Sequence, residues 1–320
     1  MSRKNVEDIY PLSPMQQGML FHTLVASVGG VYVVQRAFTL RGNVDVEAFV
    51  QAFQDVTDRH PILRTAFVWE RREQPLQVVR EKVRLPVERH DLRGASPTEQ
   101  TARLARFLDA DRRRGFDLAR APLMRLTLFR IEDREYRSIW SSHHLLLDGW
   151  STPPLLKELF TLYEARVAGT QPRLERVRPY GEYIGWLQKQ DPTKVEVFWR
   201  ERLRGLRAPT PFGVDHPASG PAQIVDLRVS LSPEISSALQ TTTRQHQLTL
   251  STLMIGAFGL LLSRYSGEED VLFGATVSGR GAPVPGIEKM VGLFINTLPT
   301  RVLVEPDRPT LDWLRTLQAQ

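Results

Sequence analysis

Ser142-His143-His144-Leu145-Leu146-Leu147-Asp148-Gly149-Trp150-Ser151 puts two adjacent imidazoles, an acid and a glycine into one short stretch. The remaining histidines, His22, His60, His90, His216 and His246, are scattered singly. Imidazole has an unperturbed pKa of about 6.5 and exchanges protons near neutrality. A histidine pair beside a glycine turn therefore reads as an acid–base site. The flanks give its place in a fold. Tyr136 to Ser142 sets Tyr136, Ile139 and Trp140 among polar residues, the pattern of a buried or half-buried strand. Ser151-Thr152-Pro153 reads as a helix start, a hydroxyl cap followed by proline. Leu155, Leu156, Leu159, Phe160 and Tyr163 then recur at helical spacing. The histidines thus fall in a strand-to-helix loop, a common place for chemistry on a rigid scaffold. Gly149 suits either a positive φ or the close approach of a substrate. The competing reading is a packed pair of structural histidines, and this stretch alone does not decide between the two.

The same alternation extends outward. Helices are predicted at Pro14 to Leu24 behind a Ser13 cap, at Asp45 to Arg59, at Pro97 to Arg114 and at Pro153 to Val167. Strands are predicted at Val31 to Leu40, Ile62 to Trp69, Leu76 to Val79, Leu85 to Arg89, Leu123 to Ile131 and Tyr136 to Ser142. This order points to an α/β fold, an α+β two-layer sandwich. Gly169 to Pro179 reads as a linker, which divides the chain into residues 1–170 and 171–320. The second part reads as helices at Tyr180 to Gln190 and Lys194 to Leu206, a loop at Ala208 to Gln223 and a strand at Ile224 to Leu231. A helix starting at Ser232, an apolar helix at Thr249 to Tyr265 and a strand at Val271 to Val277 follow. A loop at Ser278 to Gly286, a strand at Leu298 to Val304 and a helix at Leu311 to Ala319 complete it.

Composition narrows the function classes. The 320 residues carry no cysteine, which removes disulfides, cysteine–metal sites and a thiol nucleophile together. No apolar run reaches the roughly 18 residues of a membrane helix, and the N-terminus lacks an apolar signal core, so a cytoplasmic protein is expected. The net charge of +6 is mostly arginine, but aromatics do not interleave with it as in a nucleic-acid platform. The dense run Arg112-Arg113-Arg114 reads as a solvated helix face, with a docking patch for an acidic protein or phosphate as the alternative. His143 and His144 lack the spacing of a helical zinc site, and no metal is expected. No Walker loop is present, and Gly279-Arg280-Gly281 is a poor phosphate cradle. No G-x-S-x-G elbow marks a serine nucleophile. Ser151 reads as a cap and Trp150 as core.

Several stretches together resemble the condensation domain of non-ribosomal peptide synthetases. Ser13-Pro14-Met15-Gln16-Gln17-Gly18-Met19-Leu20-Phe21-His22 is similar to its opening motif, and Arg59-His60-Pro61-Ile62-Leu63-Arg64-Thr65-Ala66-Phe67 to its second. His143-His144 through Asp148-Gly149 matches its HHxxxDG signature. Tyr180-Gly181-Glu182-Tyr183-Ile184-Gly185-Trp186 resembles the fourth motif, and Val291 to Arg301 (VGLFINTLPTR) the fifth. The family continues beyond these motifs, so the resemblance implies a domain cut short in its second lobe. It implies two chloramphenicol acetyltransferase-like lobes in a V shape, with the histidines midway along a tunnel between them.

The implied activity is peptide-bond formation between a donor thioester and an acceptor amine. Both would ride on phosphopantetheine arms of carrier proteins, beside an adenylation domain and with no cofactor bound directly. His144 is the implied catalytic group, either accepting the amine's proton or orienting the amine and stabilising the charged intermediate. The Gly149 N–H is the candidate oxyanion donor. His143 is expected to be structural, Asp148 to pair with Arg64 and hold the loop, and Asn296 to reach the tunnel or cap a turn. The opening stretch from Tyr10 resembles domains that begin a separate synthetase chain and accept a D-configured donor, with Met1 to Asp8 docking the upstream synthetase. Rival readings are an epimerisation domain of the same fold, a coenzyme A-dependent acyltransferase and a non-catalytic carrier-protein docking module.

Overall fold

The computed structural model describes residues 5–26, 29–212 and 227–320. The first half contains β1 Asp8–Pro11, α1 Pro14–Val25, β2 Val33–Arg41, α2 Val46–Arg59, β3 Thr65–Val68, β4 Leu76–Val79 and β5 Val87–Asp91. It continues with α3 Pro97–Arg114, β6 Met124–Glu132, β7 Glu135–His143 and α4 Thr152–Ala168. Next come α5 Gly181–Leu187, α6 Pro192–Arg202, α7 Pro233–Gln245, α8 Leu250–Ser266, β8 Asp270–Val277, β9 Asn296–Leu303 and α9 Thr310–Ala319.

Local chemistry explains where these elements begin. Ser13 caps α1 in a full capping box with Gln16, Asp45 caps α2 through the Ala48 N–H, and Ser96 caps α3 through the Glu99 N–H. The predicted strand at Ile62 starts only at Thr65. Pro61 opens a 3-10 turn over Pro61–Arg64 first, since its fixed φ favours a helical start. Residues 227–231 of the predicted strand at Ile224 to Leu231 are not in a strand, and the rest of it lies outside the described residues.

The central sheet has the order β2-β7-β6-β5, antiparallel except for the parallel β5–β6 pair. A smaller sheet has the order β1-β4-β3. β2 and β7 pair from Arg41↔Glu135 to Val33↔His143, so the ladder runs to the first histidine. Phe49, Ala52, Phe53 and Val56 form the buried stripe of α2. Phe53 meets Trp140 of β7 edge-on at 5.8 Å, and Leu155 and Leu159 of α4 complete this layer of the core.

The chain forms two compact units. The first holds Met1–Gln190 and Ser278–Asn296, the second Asp191–Val277 and Thr297–Gln320. This division departs from the expected boundary at residue 170. Tyr180, Tyr183 and Ile184 of the α5 region, with Val291, Leu293 and Phe294 of the returning segment, bury their side chains in the first unit's core. In the second unit, Leu262 of α8 and Leu317 of α9 pack with Val271 and Val302 of the β8–β9 sheet. Among the described residues no single helix is long and apolar enough to cross a membrane.

The N-terminal segment expected to dock a partner is in part folded onto the first unit. The Asn5 side chain bonds both ways with the Lys82 backbone, and Glu7 N–H donates to Val79 O. Residues 1–4 lie outside the described residues. The arginine run is not a bare cationic face either. Arg113 pairs with Asp109, and Arg114 with Glu88 and Asp111.

Asp111 is the buried anchor of α3 on the sheet. Its carboxylate accepts from Arg125 Nε at 2.5 Å, Ser141 Oγ at 2.6 Å and Gln35 Nε2 at 2.7 Å. The Arg125 guanidinium lies 4.2 Å over the Phe116 ring and also donates to Gly115 O and Asp111 O. Removing one partner of such a pair strands the other charge. Asp111→Ala is expected to cost about 3–5 kcal/mol, read as a fall in the denaturant midpoint followed by far-ultraviolet circular dichroism.

Candidate active site

The end of β7 places the two histidines in opposite roles. His143 closes the ladder and is buried. Its Nδ1 accepts from the Leu145 N–H at 3.2 Å, so the ring proton sits on Nε2, which faces Thr23 Oγ1 at 3.5 Å. Burial, with the neighbouring His144 adding, lowers its pKa from 6.5 to about 4. These surroundings favour the neutral form of the His143 ring at pH 7.

His144 is half-buried, and its N–H donates to Tyr32 O at 2.8 Å, extending the ladder by one residue. Its Nδ1 has no hydrogen-bond partner among the described residues. Burial lowers its pKa from the ordinary 6.5, helped by the Arg36 guanidinium and opposed by its own backbone and Asp148. The Nδ1 atom is buried, and a neutral imidazole keeps one ring-nitrogen lone pair that can accept a proton or a hydrogen bond.

The loop beyond it is held from below. Leu145, Leu146 and Leu147 are all buried, and Gln16 of α1 donates to Leu145 O at 3.0 Å while pairing amide to amide with Gln77. Asp148 is wholly buried. Its Oδ1 accepts from Ser151 N–H at 2.9 Å, Ser151 Oγ at 2.9 Å and Arg280 Nη2 at 3.2 Å, and its Oδ2 from Phe294 N–H at 3.0 Å. Its own N–H donates to Gly292 O at 3.1 Å. Arg280 lies 4.3 Å over the Phe294 ring and donates through Nη1 to Ile287 O and Met290 O. Gly149 opens a 3-10 turn, is exposed, and has no partner for its N–H among the described residues. It does not have a positive φ, and a Cβ built on it meets nothing within 4 Å.

The sequence pattern of the condensation-domain family matches residues 6–320. The chain belongs to the condensation-domain family. Its relatives are components of non-ribosomal peptide synthetases. It is 49% identical over 99% of its length to one of the linear gramicidin synthase proteins of Brevibacillus parabrevis, and covers 4% of that protein. It is 42% identical over 98% of its length to one of the mycosubtilin synthase proteins of Bacillus subtilis, of which it covers 12%. Among solved structures it superposes on SgcC5 of Streptomyces globisporus with a TM-score of 0.78 at 25% identity, covering 97% of this chain and 72% of that one. The cyclization-docking bidomain of EpoB from Sorangium cellulosum gives a TM-score of 0.79 at 23% identity, over 98% of this chain and 63% of that one. The mixed α/β, chloramphenicol acetyltransferase-like fold expected from the motifs is the fold found.

Within this condensation domain, three expectations about the site need correction. Asp148 does not pair with Arg64. Arg64 leaves the 3-10 turn toward the smaller β1-β4-β3 sheet, where it holds Glu7 at 2.6 Å, Asp58 O at 3.1 Å and Arg80 O, while Asp148 takes Arg280. Ser151 makes no side-chain cap for α4. It is buried, its Oγ bridging Asp148 and Gly292 O, and Asp148 itself caps the preceding 3-10 turn. Trp150 is 57% exposed rather than core, because the turn rotates it away from the leucines. Asn296 opens β9 half-buried, two residues past Phe294.

Sequence reasoning missed Arg280, which it weighed only as part of a phosphate loop. The available signal was a lone arginine between glycines ahead of the fifth motif. Gly279 has φ +65°, and a Cβ there would overlap Phe294 O, so the residues around Arg280 are shaped for close backbone approach. A Cβ on Gly292 would likewise run into the Tyr180 ring, whose hydroxyl donates to Leu293 O at 2.7 Å.

Two expected outcomes follow. Arg280→Met leaves the Asp148 carboxylate buried without its cation, at a cost of about 3 kcal/mol in denaturant unfolding of the first unit. The His143 ring supplies a pH test. Unfolded, it binds a proton near pH 6.5; folded, only near 4. Between these values the unfolded state holds the extra proton, so stability falls as pH is lowered. The total is about 3 kcal/mol. His143→Gln should lack that component, seen as a smaller drop in denaturant midpoint between about pH 7 and about pH 5.

Proposed function

We propose that this chain forms an amide bond between a donor acyl thioester and the amine of an acceptor, both carried on phosphopantetheine arms of carrier proteins. The observation that carries this reading is the half-buried His144 imidazole, favoured in its neutral form by its surroundings, on a loop that Asp148 fixes from beneath. The family to which the chain belongs transfers acyl groups, and its members work beside carrier proteins in multidomain synthetases. The chain spans 4% to 12% of the synthases compared above, so their products stay with those proteins.

The chemistry asks little of the protein beyond position and charge. The acceptor nitrogen attacks the thioester carbonyl, a C–N bond forms, the C–S bond breaks, and the arm leaves as a thiol. The attacking nitrogen must lose a proton and the sulfur must gain one. His144 takes the first and returns the second, which balances the step without a covalent enzyme intermediate. Holding two tethered reactants together replaces a bimolecular encounter by an intramolecular one. In this reading the Gly149 N–H, five residues past His144 in the same loop, donates to the oxygen that becomes negative as the carbonyl is attacked. The donor is proposed to be D-configured, on the strength of the opening motif from Tyr10 to His22 alone.

The test is the intact mass of an acceptor-loaded carrier after incubation with this chain and a carrier loaded with a D- or an L-aminoacyl donor. A gain equal to the donor acyl group is expected, greater with the D epimer. The rate should fall by about 10²-fold or more in His144→Ala. A folded protein that transfers no acyl group across several aminoacyl pairs, yet still binds the carriers, would replace this proposal with a docking role.

A further inference from the structure

Arg36 lies in the middle of β2, directly opposite Trp140 of β7. Opposed residues of an antiparallel pair, and every second residue after them, project from the same face. Arg36, Trp140 and Ser142 therefore share a face, and the bond from His144 N–H to Tyr32 O carries the ladder on to His144. The guanidinium lies 4.9 Å over the Trp140 ring and donates from Nη1 to Ser142 Oγ at 3.0 Å. It is thus turned along β7 toward His144, with Ser142 two residues, or about 7 Å of strand, away from that residue.

Among the described residues Arg36 has no ion-pair partner. Asp148, the carboxylate whose charge it feels, is engaged by Arg280 instead. The charges that act on His144 are then Arg36 from β2 and Asp148 from its own loop, while His143 beside it is neutral and turned to the other face. A guanidinium stays protonated throughout the accessible pH range. A fixed cation without an adjacent anion raises the cost of a second cation beside it.

We propose that Arg36 is a positioning residue for acyl transfer, its unpaired cation, clamped by Trp140 and Ser142, keeping the neighbouring His144 imidazole in its neutral form. This rests on His144 as the group that handles the proton. The role differs from that of Arg280, whose charge is neutralised by the carboxylate it holds.

The test follows the His144 ring itself by nitrogen-15 NMR titration of the full chain, with His144→Gln assigning the signal, beside the pH profile of acyl transfer. Wild type is compared with Arg36→Gln, Arg36→Met and Arg36→Lys. The wild-type ring is expected to titrate below about 6.5. Both neutral variants should raise that value by about one unit, whereas Arg36→Lys should restore it, and the acid limb of the transfer profile should move in step. Two neutral variants guard against one failing to fold, and the wild-type value requires none. A wild-type ring titrating at or above about 6.5 overturns the proposal, as does an equal shift in the lysine and the neutral variants. A ring value that moves while the acid limb stays upholds Arg36 and removes His144 from the proton transfer.

Discussion

The geometry of the histidine loop depends on a single buried carboxylate. Asp148 reaches back to Ser151 within its own turn and across to Arg280 and Phe294 in the returning segment. A buried ion pair is a weak source of net stability, because desolvation offsets most of its attraction. Its hydrogen bonds are charge-assisted and directional, however, and they specify one arrangement. The turn from His144 to Ser151 cannot slide along the returning segment without leaving the carboxylate or the guanidinium unpaired. What this pair contributes is the position of His144 and of the Gly149 N–H.

That arrangement requires backbone to approach backbone more closely than side chains allow. Gly292 lies against the Tyr180 ring and Gly279 against Phe294 O, each where a Cβ has no room. The Tyr180 hydroxyl then takes Leu293 O, and the Gly292 N–H and carbonyl both meet Ser151 Oγ. The stretches around Tyr180, Gly292 and Asp148 are thus one packed object, although they stand far apart in the chain. Their shared burial also explains why residues 278–296 belong to the first compact unit rather than the second.

Most of the first unit was legible in the sequence, because local rules govern it. The helix from Asp45 to Arg59, the cap at Ser13 and the strand running into the histidines are set by neighbours within a turn or two. Partner choice at the site was not legible. Arg64 and Arg280 are both arginines with glycine or proline nearby, and only the fold decides that the first meets Glu7 and the second Asp148. Ser151 looked like an ordinary cap for the same reason. Its hydroxyl is diverted to a backbone contributed by residues more than a hundred positions later. Trp150 was misread because a bulky apolar residue is normally a core residue, whereas a 3-10 turn between strand and helix presents its middle residue outward.

The adjacency of His143 and His144 is itself a physical device. Consecutive residues of a strand face opposite ways, so the pair cannot act as two equivalent bases. The sheet buries one ring and presents the other. The buried ring spends its Nδ1 on the Leu145 N–H, where the chain turns out of the strand just after His144. Its neutrality keeps a second positive charge away from His144, while the Arg36 guanidinium, bonded to Ser142, lies on the His144 face. The first histidine thus acts on the second through backbone direction and through the absence of charge, and Asp148 acts on it through the far end of the same turn. The His144 ring is thus held between the Tyr32 bond at one end of its loop and the Asp148 bonds at the other.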